Sequence, residues 1–143
     1  VILGEKSGAT PDGRHRGDEF SKNLSPAVGA DSEGATALVN ALGSIASTDF
    51  PYDFPVDVML LPSTVRGAKG LEVMKALLKV YYGNGGVLMQ FNVVSPELLR
   101  AAQANPAAFE NLQVRVCGWS VRWNDLSTVE QDAYVRRAEG IVE

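Results

Sequence analysis

Apolar and polar residues recur along the chain with periods that predict strands and helices in turn. Residues 56–62 and 87–94 are short apolar runs with the length and composition of buried strands. Between them, residues 71–82 repeat apolar side chains at every third or fourth position, as one face of a helix does. A third strand is predicted to begin near Leu112. Strands that alternate with helices in this way place the chain in the mixed α/β class.

Glycines and capping residues predict where the first two helices begin and end. Gly70 and Gly83 bracket the helix over residues 71–82. An earlier helix is predicted over residues 31–45, where either Asp31 or Ser32 would accept a hydrogen bond from the first turn as the N-terminal cap.

The two later helices have clearer starting signals. Ser95 is predicted to cap a helix that has Pro96 at its first position, where the missing N–H group of proline is harmless. The last helix is predicted over residues 127–139, and Ser127 and Glu130 are spaced as a capping box.

Residues 1–34 lack a clear period and are rich in Gly, Ser, Asp and Pro. Residues 11–13, Pro-Asp-Gly, predict a turn. So long a stretch is either disordered or laid across another surface, and we expect an extended segment that packs on the rest of a larger protein. We therefore divide the chain into residues 1–34 and a domain of residues 35–143. The chain opens on Val1, and we expect it to be part of something longer.

The alternation of apolar residues changes phase close to a glycine near the end of the chain. From Leu112 to Val116 the even-numbered positions are apolar, whereas from Cys117 the odd-numbered ones are, including Trp119. A slip of one residue moves the buried set to the opposite face of a strand. Gly118, at the slip, is therefore predicted to lie at a bulge or tight bend.

Composition excludes several classes of function. The net charge is −4 without a basic stripe, which argues against a nucleic acid partner, and no apolar run is long enough to cross a membrane. The single cysteine, Cys117, excludes an intrachain disulfide and fits a reducing, cytoplasmic setting. His15 is the only histidine, so we predict no metal site and interpret it as an exposed loop residue. Residues 82–87, YGNGGV, run from helix to strand, the reverse of a phosphate loop, and are interpreted as a helix stop and turn.

The segment RVCGWSVRWNDLSTVEQDAYVRRAE resembles the C-terminal signature of glycyl radical enzymes, the pyruvate formate-lyase-like superfamily. The upstream segments at residues 8–14, 24–26 and 85–106 resemble those that precede the glycine loop in this family. The resemblance therefore covers nearly the whole chain. The residues that stand at the places of the signature are Arg115, Val116, Gly118, Trp119, Leu126, Gln131 and Arg137.

The resemblance implies that Gly118 stores a backbone radical. A radical at Cα is delocalised over the adjacent N–H and C=O groups and needs a planar Cα, which a side chain would hinder. In the family, an activating enzyme cleaves S-adenosylmethionine with an iron–sulfur cluster and removes a hydrogen from this glycine. The radical then passes to a cysteine on a separate, upstream loop, and the resulting thiyl radical attacks the substrate. Oxygen cleaves the activated chain at the glycine.

The resemblance also implies a setting for the chain. It would be the C-terminal portion of a ten-stranded α/β barrel with the radical loop, residues 114–123, inserted into the centre. Separately from the resemblance, the final helix at residues 127–139 is expected to help the loop to leave for activation, because docking elements are often less stable than the core. The partners implied are the activating enzyme, the upstream barrel and a second copy of the full enzyme in a cytoplasmic homodimer. No cofactor is expected to be bound.

Other residues near the glycine are expected to support the loop. Arg115, Gln90 and Asn92 are predicted to position it through polar contacts, since buried polar groups need partners. Cys117 is not expected to be the thiyl site, because adjacent side chains of an extended stretch point to opposite faces. The remaining expected supports are Val116, Trp119 and Ser120, with Trp119 and its apolar neighbours keeping the loop away from water.

The reaction itself is predicted to be anaerobic C–C cleavage by a lyase. The CGW sequence with Trp123 following resembles the arylacetate decarboxylase branch, while a dehydratase or a formate-lyase-like enzyme stays open. No turnover is expected from the chain alone. Two other hypotheses are a stand-alone protein that lends its radical loop to a damaged partner enzyme, and a non-catalytic domain that keeps the fold without the radical.

Overall fold

The computed structural model describes residues 2–27, 30, 32–45, 47–50, 54–116 and 118–140. No helix within these ranges is long and apolar enough to cross a bilayer. Short 3-10 turns lie at Ser47–Asp49, Pro106–Phe109 and Trp123–Asp125. The helices and strands are, in chain order, α1 (Ile2–Glu5), α2 (Gly34–Leu42), β1 (Pro55–Leu60), α3 (Gly67–Gly83), β2 (Leu88–Val93), α4 (Pro96–Ala104), β3 (Gln113–Val116), β4 (Trp119–Arg122) and α5 (Thr128–Glu139).

Strands β1 and β2 pair in parallel and are joined by α3, so the predicted strand–helix–strand order is confirmed. The register aligns Asp57 with Gln90 and Met59 with Asn92. Parallel strands need a long crossover connection between them, and α3 forms this connection. The chain is therefore an α/β structure, as its pattern predicts.

The two faces of β1 pack against different parts of the chain. Alternate side chains of a strand point to opposite faces, and Val56, Val58 and Leu60 lie in one buried cluster with residues of α2 and α3. Met59 points the other way. We call the cluster on its side the hairpin core, and its buried members are Met59, Leu99, Ala102, Val114, Trp123, Tyr134, Val135 and Ala138.

Helix α2 is confirmed, but it does not have the predicted start. Val39 and Leu42 are buried. The helix begins only at Gly34, and Glu33 at its cap position makes no side-chain hydrogen bond. Ser32 as the cap is therefore wrong, because it lies one residue too early, and Asp31 lies outside the described residues.

Helix α3 begins four residues before the predicted start. Gly70 does not bracket the helix but lies in its first turn, where a Cβ atom would come within 2.0 Å of the backbone of Val65. The predicted apolar face is confirmed at Leu77 and Tyr81, which are buried, but not at Leu71, which is 52% exposed. Gly70 therefore allows close packing against Val65 and does not mark the start of the helix.

Strand β2 lies where predicted, but its burial differs. Leu88 is 52% and Val93 is 44% exposed, and among the residues of the strand Asn92 alone is buried. The prediction of a buried strand is therefore wrong within this chain. In the described residues β2 pairs only with β1, so the other edge of β2 has no strand partner there.

Both later helices have the predicted caps. The hydroxyl oxygen of Ser95 accepts a hydrogen bond from the amide of Leu98 at 3.2 Å, and Pro96 is the first residue of α4. In α5, the hydroxyl of Ser127 accepts from the amide of Glu130, whose carboxylate accepts from the amide of Ser127 at 3.0 Å. The capping box is confirmed.

The N-terminal stretch contains the predicted turn and touches β1. Gly13 has a φ of +96° and donates its amide to the carbonyl of Thr10. Further on, the amide of Leu24 donates to the carbonyl of Pro55 at 3.0 Å. The division of the chain at residue 34 stays a prediction.

Candidate functional site

Gly118 lies in the tight turn of a β-hairpin. Strands β3 and β4 are antiparallel, and the pair of Val116 and Trp119 leaves a loop of only two residues. Gly118 has a φ of +85°, the left-handed region that glycine tolerates and that two-residue hairpin loops require. The other loop residue, Cys117, lies outside the described residues. The predicted tight bend is confirmed.

The turn also explains the change of phase in the sequence. Paired residues of a hairpin point to the same face, and the register pairs Val114 with Val121 and Val116 with Trp119. A two-residue loop converts even-numbered positions on one strand into odd-numbered positions on the other. The slip in the pattern is therefore the signal of a hairpin.

The tip of the hairpin is open. Gly118 is exposed, Trp119 is 78% exposed and Ser120 is exposed. Apart from the two adjacent residues, a Cβ atom built on Gly118 would meet no described atom within 4 Å. Within the described residues neither Gly118 nor Trp119 is covered, and the expectation that Trp119 shields the glycine from water stays a prediction.

The base of the hairpin, in contrast, is anchored in the hairpin core. Val114 is 5% exposed and Trp123, directly after β4, is fully buried. The amide of Trp123 donates to the carbonyl of Leu112 at 2.8 Å, which closes the base. On the helix side, the amide group of Gln131 donates to the carbonyl of Trp123 at 2.9 Å. A firm base thus carries an exposed tip.

The three residues predicted to position the loop form one chain of hydrogen bonds. The guanidinium of Arg115 donates to the side-chain oxygen of Gln90 at 2.9 Å, and the Gln90 amide donates to the Asn92 side-chain oxygen at 3.1 Å. Arg115 belongs to β3 and the other two to β2. The chain of bonds therefore joins the hairpin to the parallel sheet.

Two residues near the hairpin were not singled out from the sequence. Tyr134 on α5 donates its hydroxyl to the carbonyl of Arg115 at 3.1 Å. Burial raises the pKa of Tyr134 to about 12, so the hydroxyl keeps its proton at neutral pH. In the sequence Tyr134 looks like an ordinary apolar member of a helix, and nothing marks its distant partner.

Asp57 is the other residue near the hairpin that was not singled out. The sequence did mark it, since it is a charged residue inside the apolar run of residues 56–62. It is 5% exposed and pairs in register with Gln90. Burial raises the pKa of the Asp57 carboxyl, against the opposing positive charges of Arg137, Lys22 and Arg115. The side-chain amide of Asn23 donates to it at 3.3 Å.

His15 and residues 82–87 have the structures predicted for them, an exposed loop residue and a helix end followed by a turn. His15 is exposed, and its backbone amide donates to the carboxylate of Asp18 at 2.9 Å. Helix α3 ends at Gly83 and a turn with Gly85 at a φ of +85° follows. In the part of the chain that the structure describes, no group of His, Asp and Glu side chains is placed to hold a metal.

The sequence model of the family described as glycine radical matches residues 20–124, a range that includes the hairpin and Gly118. The chain belongs to the glycine radical family. The resemblance to glycyl radical enzymes is thereby confirmed. The match covers α2, β1, α3, β2, α4 and the hairpin, and it ends before α5.

Individual relatives of the glycine radical family include two classes of enzyme. The chain is 34% identical over 139 residues to trans-4-hydroxy-L-proline dehydratase of Clostridioides difficile, spanning 97% of this chain and 18% of that enzyme. It is 35% identical over 137 residues to indoleacetate decarboxylase of Tractidigestivibacter scatoligenes, spanning 95% of this chain and 16% of that enzyme. An arylacetate decarboxylase is thus among the relatives, at the same level as a dehydratase.

A solved structure of a glycyl radical enzyme from Archaeoglobus fulgidus also superimposes on the chain. The TM-score is 0.83 at 36% identity, over 94% of this chain and 17% of that one. The chain therefore spans less than a fifth of the length of the relatives that it matches. It corresponds to the glycine radical portion of such enzymes.

Proposed function

We propose that this chain is the glycine radical portion of a glycyl radical lyase and that Gly118 stores the radical. The observation that supports this most directly is the position of Gly118. It is an exposed glycine with a φ of +85°, at the tip of a hairpin whose base is buried. The hairpin lies inside the range matched by the glycine radical family.

The surroundings of Gly118 suit a backbone radical. Delocalisation over the neighbouring amide groups requires a planar Cα, and a glycine has no Cβ to resist that change. The space around its Cα is open, since apart from the two adjacent residues no described atom lies within 4 Å of a Cβ position. An exposed tip thus fits the removal of a hydrogen atom by a separate activating enzyme.

The partners of the reaction follow from the family resemblance. A radical S-adenosylmethionine enzyme with an iron–sulfur cluster would install the radical, and no cofactor would remain bound. The radical would generate a thiyl radical on an upstream cysteine of the barrel, a segment that this chain does not contain. The whole enzyme would be a ten-stranded barrel, cytoplasmic, oxygen-sensitive and homodimeric, and would serve anaerobic metabolism.

The residues around the hairpin would hold Gly118 in place. Arg115, Gln90 and Asn92 are already connected by hydrogen bonds of 2.9 and 3.1 Å. In the complete barrel, other parts of the enzyme would cover the unpaired edge of β2 and the ring of Trp119. This cover would shield the radical from water. Val116, Cys117 and Ser120 complete the proposed lining of the loop.

The proposed reaction is anaerobic C–C cleavage, with decarboxylation of an arylacetate as the first candidate. The similarity to indoleacetate decarboxylase supports this class, and the similarity to trans-4-hydroxy-L-proline dehydratase supports dehydration as the second candidate. An activated preparation of the intact protein, supplied separately with an arylacetate, a vicinal diol and hydroxyproline, distinguishes them. Release of CO2 indicates the decarboxylase, and loss of water without CO2 indicates the dehydratase.

The storage role has a test that needs no substrate. The intact protein is incubated anaerobically with an activating enzyme and S-adenosylmethionine, exposed to air and analysed by mass spectrometry. We expect a new chain end at Gly118, absent when S-adenosylmethionine is omitted. An uncut chain, with an activating enzyme that works on another target, would contradict the proposal.

A further inference from the structure

Through one side chain, helix α5 contacts β3 of the glycine hairpin and the residue that follows β4. Tyr134 donates its hydroxyl to the carbonyl of Arg115 in β3 at 3.1 Å. Its ring lies edge-on to the ring of Trp123, directly after β4, with centroids 6.1 Å apart and an angle of 79° between planes. One residue thus contacts both sides of the hairpin base.

The ring contact is buried on both sides, whereas the hydrogen bond is partly buried because Arg115 is exposed. Tyr134 is 4% exposed and Trp123 is fully buried. Water can replace a lost partner only for the exposed group of such a pair. The ring of Tyr134 therefore anchors the hairpin through its buried contact with Trp123, and the hydroxyl adds a partly buried hydrogen bond to β3.

The hairpin needs such an anchor. Each of its strands has four residues, and a two-stranded hairpin of this size is at best marginally stable by itself. The tip, from Gly118 to Ser120, is exposed, so its position follows from how the base is held. Arg115, whose carbonyl accepts the bond, is only three residues from Gly118.

We infer that Tyr134 is a positioning residue that holds the glycine hairpin against α5 and thereby keeps Gly118 in its storage position. The inference rests on the proposed function of Gly118. Tyr134 touches no reacting atom and acts through the backbone of Arg115 and the ring of Trp123. Without its hydroxyl the hairpin opens more often, and in the complete barrel, where the tip would be covered, Gly118 then meets solvent and oxygen more often.

The chain offers a matched control for the Tyr134→Phe variant. Tyr81 is also buried, at 2% exposed, and donates its hydroxyl to a backbone carbonyl, that of Phe54. It lies in the cluster on the opposite face of β1, away from the hairpin. Tyr81→Phe therefore removes the same group from a similar environment, and any effect that both variants share is general loss of stability.

The first readout is amide hydrogen exchange of residues 113–123 in the intact protein before activation. The net contribution of one hydrogen bond corresponds to a change of about two- to tenfold in an opening equilibrium. We expect exchange in this segment to accelerate by that factor in Tyr134→Phe and to stay at the wild-type rate in Tyr81→Phe. Equal rates in the two variants would overturn the inference, whether or not a radical forms.

The second readout is the rate of oxygen-dependent cleavage at Gly118 after anaerobic activation. We expect a similar two- to tenfold increase in Tyr134→Phe relative to the wild type and to Tyr81→Phe. Cleavage at the same rate in all three proteins would overturn the inference. Absence of cleavage in the wild type would contradict the proposed function instead, and hydrogen exchange would still decide the role of Tyr134.

Discussion

The guanidinium of Arg115 and the side-chain oxygen of Gln90 are joined by a hydrogen bond of 2.9 Å between β3 and β2. These residues are 25 positions apart in the sequence. Through the bond, the strand that leads to Gly118 is fixed to the parallel sheet. The carbonyl of the same arginine is fixed to α5, so Arg115 is held on two sides.

Removing the acceptor on β2 is expected to weaken the storage of the radical. Gln90→Leu keeps the approximate size of the side chain but leaves Arg115 without this partner. We expect the amount of radical per chain to fall by about three- to tenfold, since a hydrogen bond contributes about 0.5–1.5 kcal/mol and those to charged groups more. Electron paramagnetic resonance spin counting measures it.

Gln103→Leu is the control for that variant. Gln103 donates to the carboxylate of Asp132 at 2.8 Å, a hydrogen bond between α4 and α5 and outside the hairpin strands. An equal fall in radical content in both variants would show that the Arg115–Gln90 bond has no particular role.

The cap of α5 is expected to matter more for the hairpin than the cap of α4. Ser127→Ala removes the hydroxyl of the capping box, and Ser95→Ala removes the equivalent group from α4. Each loss should cost about 1 kcal/mol. Since α5 carries Gln131 and Tyr134, we expect faster hydrogen exchange of the hairpin in Ser127→Ala only. Unchanged exchange there, or an equal increase in Ser95→Ala, would argue against α5 as the support.

Asp57 predicts a pH dependence of stability with a definite sign. Burial raises the pKa of its carboxyl above the ordinary value of 3.8, so the ionised form destabilises the fold. The cost is absent below about pH 3.8 and is complete once the pH exceeds the raised pKa. We therefore expect Asp57→Asn to raise the thermal midpoint at pH 7 and to have progressively less effect as the pH falls.

Glu130 predicts a pH dependence of stability with the opposite sign and serves as the comparison. Its hydrogen bonds to Ser127 lower the pKa of the Glu130 carboxyl, so the ionised form stabilises the fold at neutral pH. Glu130→Gln should lower the midpoint at pH 7, with the loss shrinking in acid. A midpoint for Asp57→Asn below that of the wild type at pH 7 would refute the assignment.

The sequence and the structure agree where a local pattern decides the outcome. The phase change around Gly118 required a tight turn, and Ser127 with Glu130 required a helix start, because both follow from backbone geometry over a few residues. The position of Tyr134 against Arg115 did not follow, since a hydroxyl in a helix gives no sign of a carbonyl 19 residues away. The exposure of Leu88 could not be predicted either, because the apolar composition of residues 87–94 is typical of a strand that is covered on both sides.

The central claim is that Gly118 stores the radical, and electron paramagnetic resonance after anaerobic activation tests it most directly. The variants are Gly118→Ala, Gly118→Asn, whose side chain tolerates a positive φ, and Gly17→Ala. Gly17 is the control for backbone strain, with a φ of +88° and nothing within 4 Å of a Cβ.

We predict a doublet split by one α-hydrogen in the wild type and in Gly17→Ala, and no such signal in either variant of Gly118. A doublet that persists in Gly118→Ala, or its absence from the wild type with an activating enzyme that works on another target, would contradict the account.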